Sequence, residues 1–381
     1  MTDVAVADLS RDPHPTLHRL RASQPVAWVD ELDAWLVTSH RSCSEVMFDP
    51  GTFTVDDPRF STQQVIGPSM LSLDGDEHRR HRDPFAPPFR AGAIRELETF
   101  TRTVARDLVA AVAADGAGDL RARVAGPLAV AVMARVLDLD VDTSEVLSWY
   151  QDIVDAVHAV TGGAQVPESG QRAFAELKSA VERNSSESSL LGPVERDGSL
   201  DVDEIVSNVA VLLFGGIVTS ESSTAIAFRY LLADPDLIGT IGSDRALVRP
   251  FVEETLRLEP SAAAVDRYAT RDVSFGGAEI SAGDLVRVSL SAANRDPEVF
   301  PDPDRLDLER DNHGKSLTFA RGPHACLGIH LARLETVAAV DAFVDHATGV
   351  RPGELDPITG LVFRAPDTVQ AEWAGSAGEV G

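Results

Sequence analysis

The hydrophobic pattern sorts this chain into several helices and a few short strands. Leu327, Leu331, Leu334 and Ala338 recur at intervals of four, three and four, the period of an amphipathic helix. Residues 91–191 read as helices broken near Gly116–Gly118, at Gly126-Pro127 and between Gly162 and Pro167, because Gly and Pro mark turns. From Val209 to Val218 the chain is apolar on all sides, so a helix there must be buried, with Asp201 and Asp203 offering N-cap oxygens. Val26–Val29 and Ala34–Thr38, around the polar turn Asp30–Asp33, predict two strands, as do Ser261–Val265, Val273–Phe275 and Leu285–Leu290. Pro13, Pro15 and Pro25 break residues 1–25 into a loose arm. Residues 51–70, the Ser/Glu-rich Asn184–Ser189 and the proline-rich Asn294–Arg305 read as exposed or irregular, Leu361–Phe363 as a strand-like turn, and 374–381 as a disordered tail. The expected architecture is mainly α with small peripheral β-sheets. No linker and no internal repeat divides it, so one domain over 1–381 is expected.

Composition narrows the function. The formal net charge is −26, which disfavours nucleic-acid partners and adhesion to anionic membranes. The 44% of hydrophobic residues is ample for a core. Two cysteines leave no disulfide framework, and a reducing cytoplasm fits. Met1–Ser10 lacks a basic leader region, and the apolar run Val209–Val218 is too short to span a bilayer, so no membrane association is expected. One segment reverses the overall charge: Arg79 to Arg106 holds seven arginines against three acids. Such a patch can steer an acidic partner, although ordinary helix-surface charge has the same look.

The candidate chemistry centres on Phe319–Gly328. Gly322 and Gly328 permit sharp turning or close approach. Cys326 stands just ahead of the predicted helix, where unpaired N–H groups and the dipole favour a thiolate. Zinc is disfavoured, because Cys43 is remote and the spacing is unpaired. A nucleophile would need an oriented base, and a lone cysteine is commonly a buried structural one. An axial thiolate on haem iron is the fourth use. Two other stretches stand out. His78 and Arg82, four apart on one helix face, suit a carboxylate, while Arg79, Arg80 and His81 are left to the surface. Gly215-Gly216 costs roughly 1 kcal/mol per glycine inside a helix. Close approach to a cofactor or tight helix packing would account for it.

Phe319, Gly322, His324, Cys326 and Gly328 in this spacing resemble the cysteine-ligand loop of the cytochrome P450 family, bacterial soluble class. The family usually has glycine where Ala320 stands. The resemblance covers nearly the whole chain, in the family's order: His78-x-x-x-Arg82, Gly215-Gly216-x-x-Thr219, Glu254-x-x-Arg257, a meander, then the cysteine loop. It implies a single-domain fold enclosing haem b (iron protoporphyrin IX), with Cys326 on the iron and His78, Arg82, Arg267 and His324 on the propionates. Gly216, Phe319 and Gly328 would border the cofactor. Glu254, Arg257 and Arg305 would form a buried ion network. The implied substrate pocket is Met70, Phe214, Val218, Ala263, Val265 and Phe363, with residues 150–180 as a lid.

The family's acid–alcohol pair delivers protons for O–O cleavage. Here Thr219 keeps the alcohol but Val218 replaces the acid, so Glu221, one turn on from Val218, is a tentative substitute. The implied function is monooxygenation of a small, largely apolar metabolite, in secondary metabolism. Radical coupling, rearrangement or peroxide-driven chemistry is the alternative that Val218 suggests, and a non-catalytic haem ligand-binding protein is a further one. Ferredoxin and ferredoxin reductase are the implied electron donors, and a cytoplasmic monomer is expected.

Overall fold

The computed structural model describes residues 4–137, 143–161, 164–183 and 191–374. The features expected at Gly162, Asn184–Ser189 and 375–381 lie outside the described residues. Contacts gather the chain into two compact units. One comprises Met1–Phe53, Glu98–Leu128 and Thr219–Gly381, the other Thr54–Leu97 and Ala129–Val218.

In the first unit the predicted hairpin forms. Val26–Val29 pairs antiparallel with Ala34–Val37, and Asp33 makes the turn at φ 48°, a left-handed conformation that Asp tolerates. Ala34–Val37 runs parallel to Leu285–Ser289, which pairs antiparallel with Ala264–Ala269. Val26, Val37, Val286 and Val288 bury together with Cys43 and Met47. The strand expected over Ser261–Val265 instead starts at Ala264 and reaches Ala269. There the cross-strand pair Asp266–Arg287, at 2.7 Å, occupies the more solvated face.

The N-terminal arm is not loose. Helices Val6–Arg11 and His14–Ser23 pack Leu9, Leu17 and Leu20 against Ala27, Val29 and Leu36. Pro15 lies in the first turn of the second helix, where its missing N–H has no cost, so it starts the helix rather than breaking it. His14 meets the buried Glu259 at 2.7 Å, and Arg21 donates to the Ala292 carbonyl at 2.8 Å.

The Ile329–Asp345 helix carries the predicted stripe, with Leu331 and Ala338 buried. It begins two residues after Leu327, so Cys326 sits in the preceding turn. Arg102 of the Glu98–Ala114 helix reaches its Asp341 at 2.9 Å. The helix Val248–Leu258 is largely buried, with Glu254 and Arg257 fully so.

In the second unit, helices Thr143–Thr161 and Glu168–Arg183 cross at Gly170, where a β-carbon would come 2.5 Å from that of Ala156. Residues 51–70 are less irregular than expected and contain the helix Ser61–Ile66. Val65, Ile66 and Met70 are buried, and Met70 donates its N–H to Asn208 at 2.8 Å.

The apolar run lies in a 32-residue helix, Val202–Ala233. Asp201 and Glu204 cap it reciprocally, each side chain accepting from the other's N–H at 2.9 Å. Asp203 is not a cap: it pairs with Lys178. By length and composition this helix could cross a bilayer, yet 61% of its most apolar stretch is buried inside protein, as in a core helix.

Candidate functional site

The cysteine loop is fixed by its own backbone. Cys326 donates its N–H to the Phe319 carbonyl at 2.8 Å, and Ala325 donates to Gly322 at 3.1 Å. Gly322 adopts φ 76°, and a β-carbon there would lie 2.2 Å from the Met47 carbonyl oxygen, so only glycine fits. Ala320 adopts φ 53°, the left-handed region in which a glycine would be unstrained. Behind the loop, the buried Asn294 accepts from the Leu317 N–H at 2.6 Å and donates to Thr318 at 2.9 Å. The Arg333 guanidinium stacks 4.9 Å from the Phe319 ring and pairs with Glu253 at 2.7 Å. The Cys326 side chain itself is exposed. The loop therefore presents one thiol from a rigid frame.

The ion network differs from expectation in its third member. Arg257 grips Glu254 through two hydrogen bonds, at 2.7 and 2.9 Å. Arg310, 4% exposed, approaches the same carboxylate at 3.0 Å, and His313 at 3.5 Å. The Arg305 side chain is exposed, and only its backbone carbonyl takes part, accepting from Arg257 at 3.1 Å. Arg310 replaces Arg305 because the turn at Asp307–Arg310 folds it inward. Burial works to raise the Glu254 carboxyl, but Arg257, His313 and the Asp307 N–H outweigh it and hold it well below the ordinary range.

In the second unit, His78 is 4% exposed on the helix Gly75–Arg82, with Arg82 one turn on. The surface assignment of His81 is overturned, whereas Arg80 stays partly exposed and is held by ion pairs. His81 is 1% exposed and accepts from Asn208 Nδ2 at 2.9 Å. Arg80 pairs with Glu204 at 2.6 Å and with Glu77 at 2.7 Å. Burial lowers the affinity of His81 for a proton. The basic patch is also less basic than its sequence, because Arg79, Arg80, Arg102 and Arg106 each have an acidic partner.

The missing side chain of Gly216 has a packing role. A β-carbon there would lie 2.5 Å from Met133 Sδ, so its missing side chain admits a neighbouring helix. The Gly215 position opens onto space instead.

The predicted pocket residues fall in both units. Met70 and Phe214 are buried and Val218 half-buried in the second. In the first, the bridge Ala262–Phe363 and the bond from the Ala263 N–H to the Val362 carbonyl, 2.7 Å, bring Ala263 and Phe363 together. Val265 packs at the edge of the sheet core. Thr219 is half-buried. Glu221 does not join it: its carboxylate accepts from Arg121 Nε at 2.8 Å, and two positions along a helix is nearly the opposite face.

Several buried charged groups escaped the sequence pattern, among them Glu259, Arg295, Asp296, Arg310, Glu335 and Arg364, all in the first unit. Glu335 had a visible signal: it is an acid four residues after Leu331 and three before Ala338, on the apolar stripe.

The donor set fits an iron porphyrin. It offers one accessible thiol for the metal. It also offers cations suited to carboxylates: His324 and the 5% exposed Arg267 in the first unit, His78 and Arg82 in the second.

Comparison with known proteins gives the same direction. The family model for cytochrome P450 matches residues 243–346. The cytochrome P450 monooxygenase PikC of Streptomyces venezuelae is 33% identical, over 96% of this chain and 92% of that one. Nocardicin C N-oxygenase of Nocardia uniformis subsp. tsuyamanensis is 32% identical, over 95% and 96%. The crystal structure of CalO2 superposes with a TM-score of 0.87 at 30% identity, over 96% of this chain and 97% of that one.

Proposed function

This chain belongs to the cytochrome P450 family, and on that premise we propose that it is a haem-thiolate monooxygenase of secondary metabolism with Cys326 as the sulfur ligand. It is an oxidoreductase with a haem-iron cofactor. The observation that carries the proposal is the rigid loop that presents the Cys326 thiol.

When bound, the haem, in our reading haem b, supplies dioxygen activation, tuned by electron donation from sulfur. The residues do the rest. Cys326 anchors the metal, and the loop frame holds the sulfur still. His78, Arg82, Arg267 and His324 neutralise the two propionates. Phe319 and Gly328 border the cofactor. Phe214, Val218 and Met70 in the second unit, and Ala263, Val265 and Phe363 in the first, are the apolar side chains assigned to a largely apolar metabolite. Thr219 holds a proton at its hydroxyl. Electrons come from ferredoxin and ferredoxin reductase. Ferredoxin docks beside the cysteine loop, where a cavity of about 340 Å³ is lined by Phe48, Phe319, Arg321 and Arg333. Phe48 is 61% exposed there, an aromatic anchor at the rim. The enzyme works as a cytoplasmic monomer.

Turnover with ferredoxin, its reductase and isotopically heavy dioxygen tests this on apolar natural products. One heavy oxygen atom in the product is expected. One observation favours a second reading: Val218 stands where the family has an acid. Under that reading the product is coupled or rearranged and carries no heavy oxygen.

A further inference from the structure

Phe363 is carried by a turn that is stiff within itself. Thr359 and Ala365 close it, each donating its N–H to the other's carbonyl at 3.1 Å. Gly360 adopts φ 120°, and a β-carbon there would strike the Phe363 carbonyl oxygen, so the chain doubles back as only glycine allows. Arg364, 2% exposed, ties the turn together, donating to the Gly360 carbonyl at 2.8 Å and to the Ile358 carbonyl at 2.7 Å. Such a turn moves as one piece, so whatever fixes its edges fixes Phe363. One edge is the backbone beside Ala263: Arg364 donates its N–H to Ser261 at 2.9 Å, and Ala263 donates to Val362 at 2.7 Å.

The other edge is the N-terminal arm. Ser10 is in the last turn of the helix Val6–Arg11, where carbonyls have no partner within the helix. Its carbonyl accepts from the Gly360 N–H at 2.8 Å and from Arg364 Nη1 at 3.2 Å. A little further on, His14 Nε2 lies 2.7 Å from Glu259 Oε1, and the other oxygen of that carboxylate accepts from Arg364 Nε at 3.3 Å. Burial works to raise the Glu259 carboxyl, but His14, Arg295 and Arg364 outweigh it and hold it below the ordinary range. The clasp is therefore closed twice, from Ser10 to Arg364 directly and from His14 to Arg364 through Glu259. Leu361 of the same turn packs against Leu9, Leu17 and Leu36. Those leucines alone would cover the sheet, and burying a carboxylate and a guanidinium beside them adds a desolvation cost that an apolar contact avoids.

We propose that the N-terminal arm sets the specificity of the substrate pocket, with Ser10 and His14 as positioning residues that hold Phe363 through Arg364 and Glu259. The inference rests on the reading of Phe363 as a pocket residue. The ligand class it selects carries a bulky apolar group, aryl or alicyclic, that bears on Phe363. A ligand too small to reach that ring is indifferent to the arm. The coupling is reciprocal: a ligand held better when the clasp is closed must itself favour the closed clasp.

The test uses the haem-loaded full chain and two probes titrated against the haem band: imidazole, which is small, and phenylimidazole, which adds an aryl group. His14→Ala should weaken phenylimidazole about tenfold and imidazole less than about twofold. His14→Gln, which keeps a donor for Glu259, should recover part of the loss. Phe363→Ala should itself weaken phenylimidazole, and adding His14→Ala to it should then change the affinity less than about twofold, because the clasp acts through that ring. Leu17→Ala, which loosens the arm without touching the clasp, should lower the melting temperature and leave the ratio of the two affinities unchanged. If His14→Ala does not fold, hydrogen exchange in wild type decides: phenylimidazole, and not imidazole, should slow exchange in residues 6–14 and 358–364. Equal losses for the two probes, a full effect of His14→Ala in the Phe363→Ala background, a ratio that Leu17→Ala moves as far as His14→Ala does, or exchange unmoved by phenylimidazole overturns the inference. Failure of the pocket reading looks different: Phe363→Ala alone would leave the phenylimidazole affinity as in wild type, and the inference would fall with it.

Discussion

Arg310 Nε lies 3.0 Å from Glu254 Oε1, and neither side chain reaches solvent to any extent. The same carboxylate is held by Arg257 and by the Asp307 N–H at 2.9 Å. Removing one cation leaves a buried charge under-compensated, at ~3–5 kcal/mol. Arg310→Ala should therefore lower the urea midpoint sharply and give protein that loses haem. Arg305→Ala, on an exposed side chain, should stay within about 0.5 kcal/mol. Denaturant titration of the two variants checks the assignment, and the reverse ranking would restore Arg305 to the network.

The cysteine loop should answer to backbone strain in opposite directions at two positions. Gly322→Ala must relieve a contact 2.2 Å from the Met47 carbonyl at a φ of 76°. A loss of roughly 2 kcal/mol or more is expected, with haem bound weakly. Ala320→Gly removes a left-handed alanine at φ 53°. The strain released, roughly 1–2 kcal/mol, is partly offset by the greater unfolded-state freedom of glycine, so a gain of at most about 1 kcal/mol is expected. Thermal melts of both variants, with haem content measured alongside, test this.

What was legible in the sequence was local. The hairpin needed only alternation and an Asp turn, and the cysteine loop only the spacing of glycines around one thiol. What was missed depends on partners distant in sequence. Prolines in the arm at 1–25 signal breaks by themselves, whereas Pro15 begins a helix whose leucines find Leu36 and Ala292. Nothing near His81 in the chain announces Asn208 as its partner. Nothing near Gly216 in the chain announces that Met133 packs where its side chain would be. Arg305 and Arg310 differ only in how the meander folds, which proline spacing does not specify.

Acid should weaken the second unit through Glu204. The Arg80 guanidinium, against some desolvation, holds this carboxyl down to about 2 from its ordinary 4.5. A carboxyl depressed on folding stabilises above its unfolded pKa and loses that contribution as pH falls through the folded one. The window is therefore from about pH 4.5 down to about 2. The side chain is 27% exposed, so screening reduces the worth of the pair to roughly 1 kcal/mol. Glu204→Gln should be less stable than wild type at neutral pH, with the gap closing through that window. A gap that widens in acid would contradict the assignment.

Glu221 and Thr219 should separate cleanly. Glu221→Gln breaks the 2.8 Å pair with Arg121 on a partly exposed surface, so a loss of about 0.2–1 kcal/mol is expected with coupling intact. Thr219→Ala should leave stability nearly unchanged and raise the reductant consumed without product. Parallel melting and coupling measurements read both.

The most direct measurement is the carbon monoxide complex of the reduced, haem-loaded protein. Were the Cys326 thiolate to hold the haem iron, the strongly red-shifted haem band would be present in wild type and absent from Cys326→His. Folded, haem-loaded wild type without that band, or the same band after Cys326→His, would contradict the account.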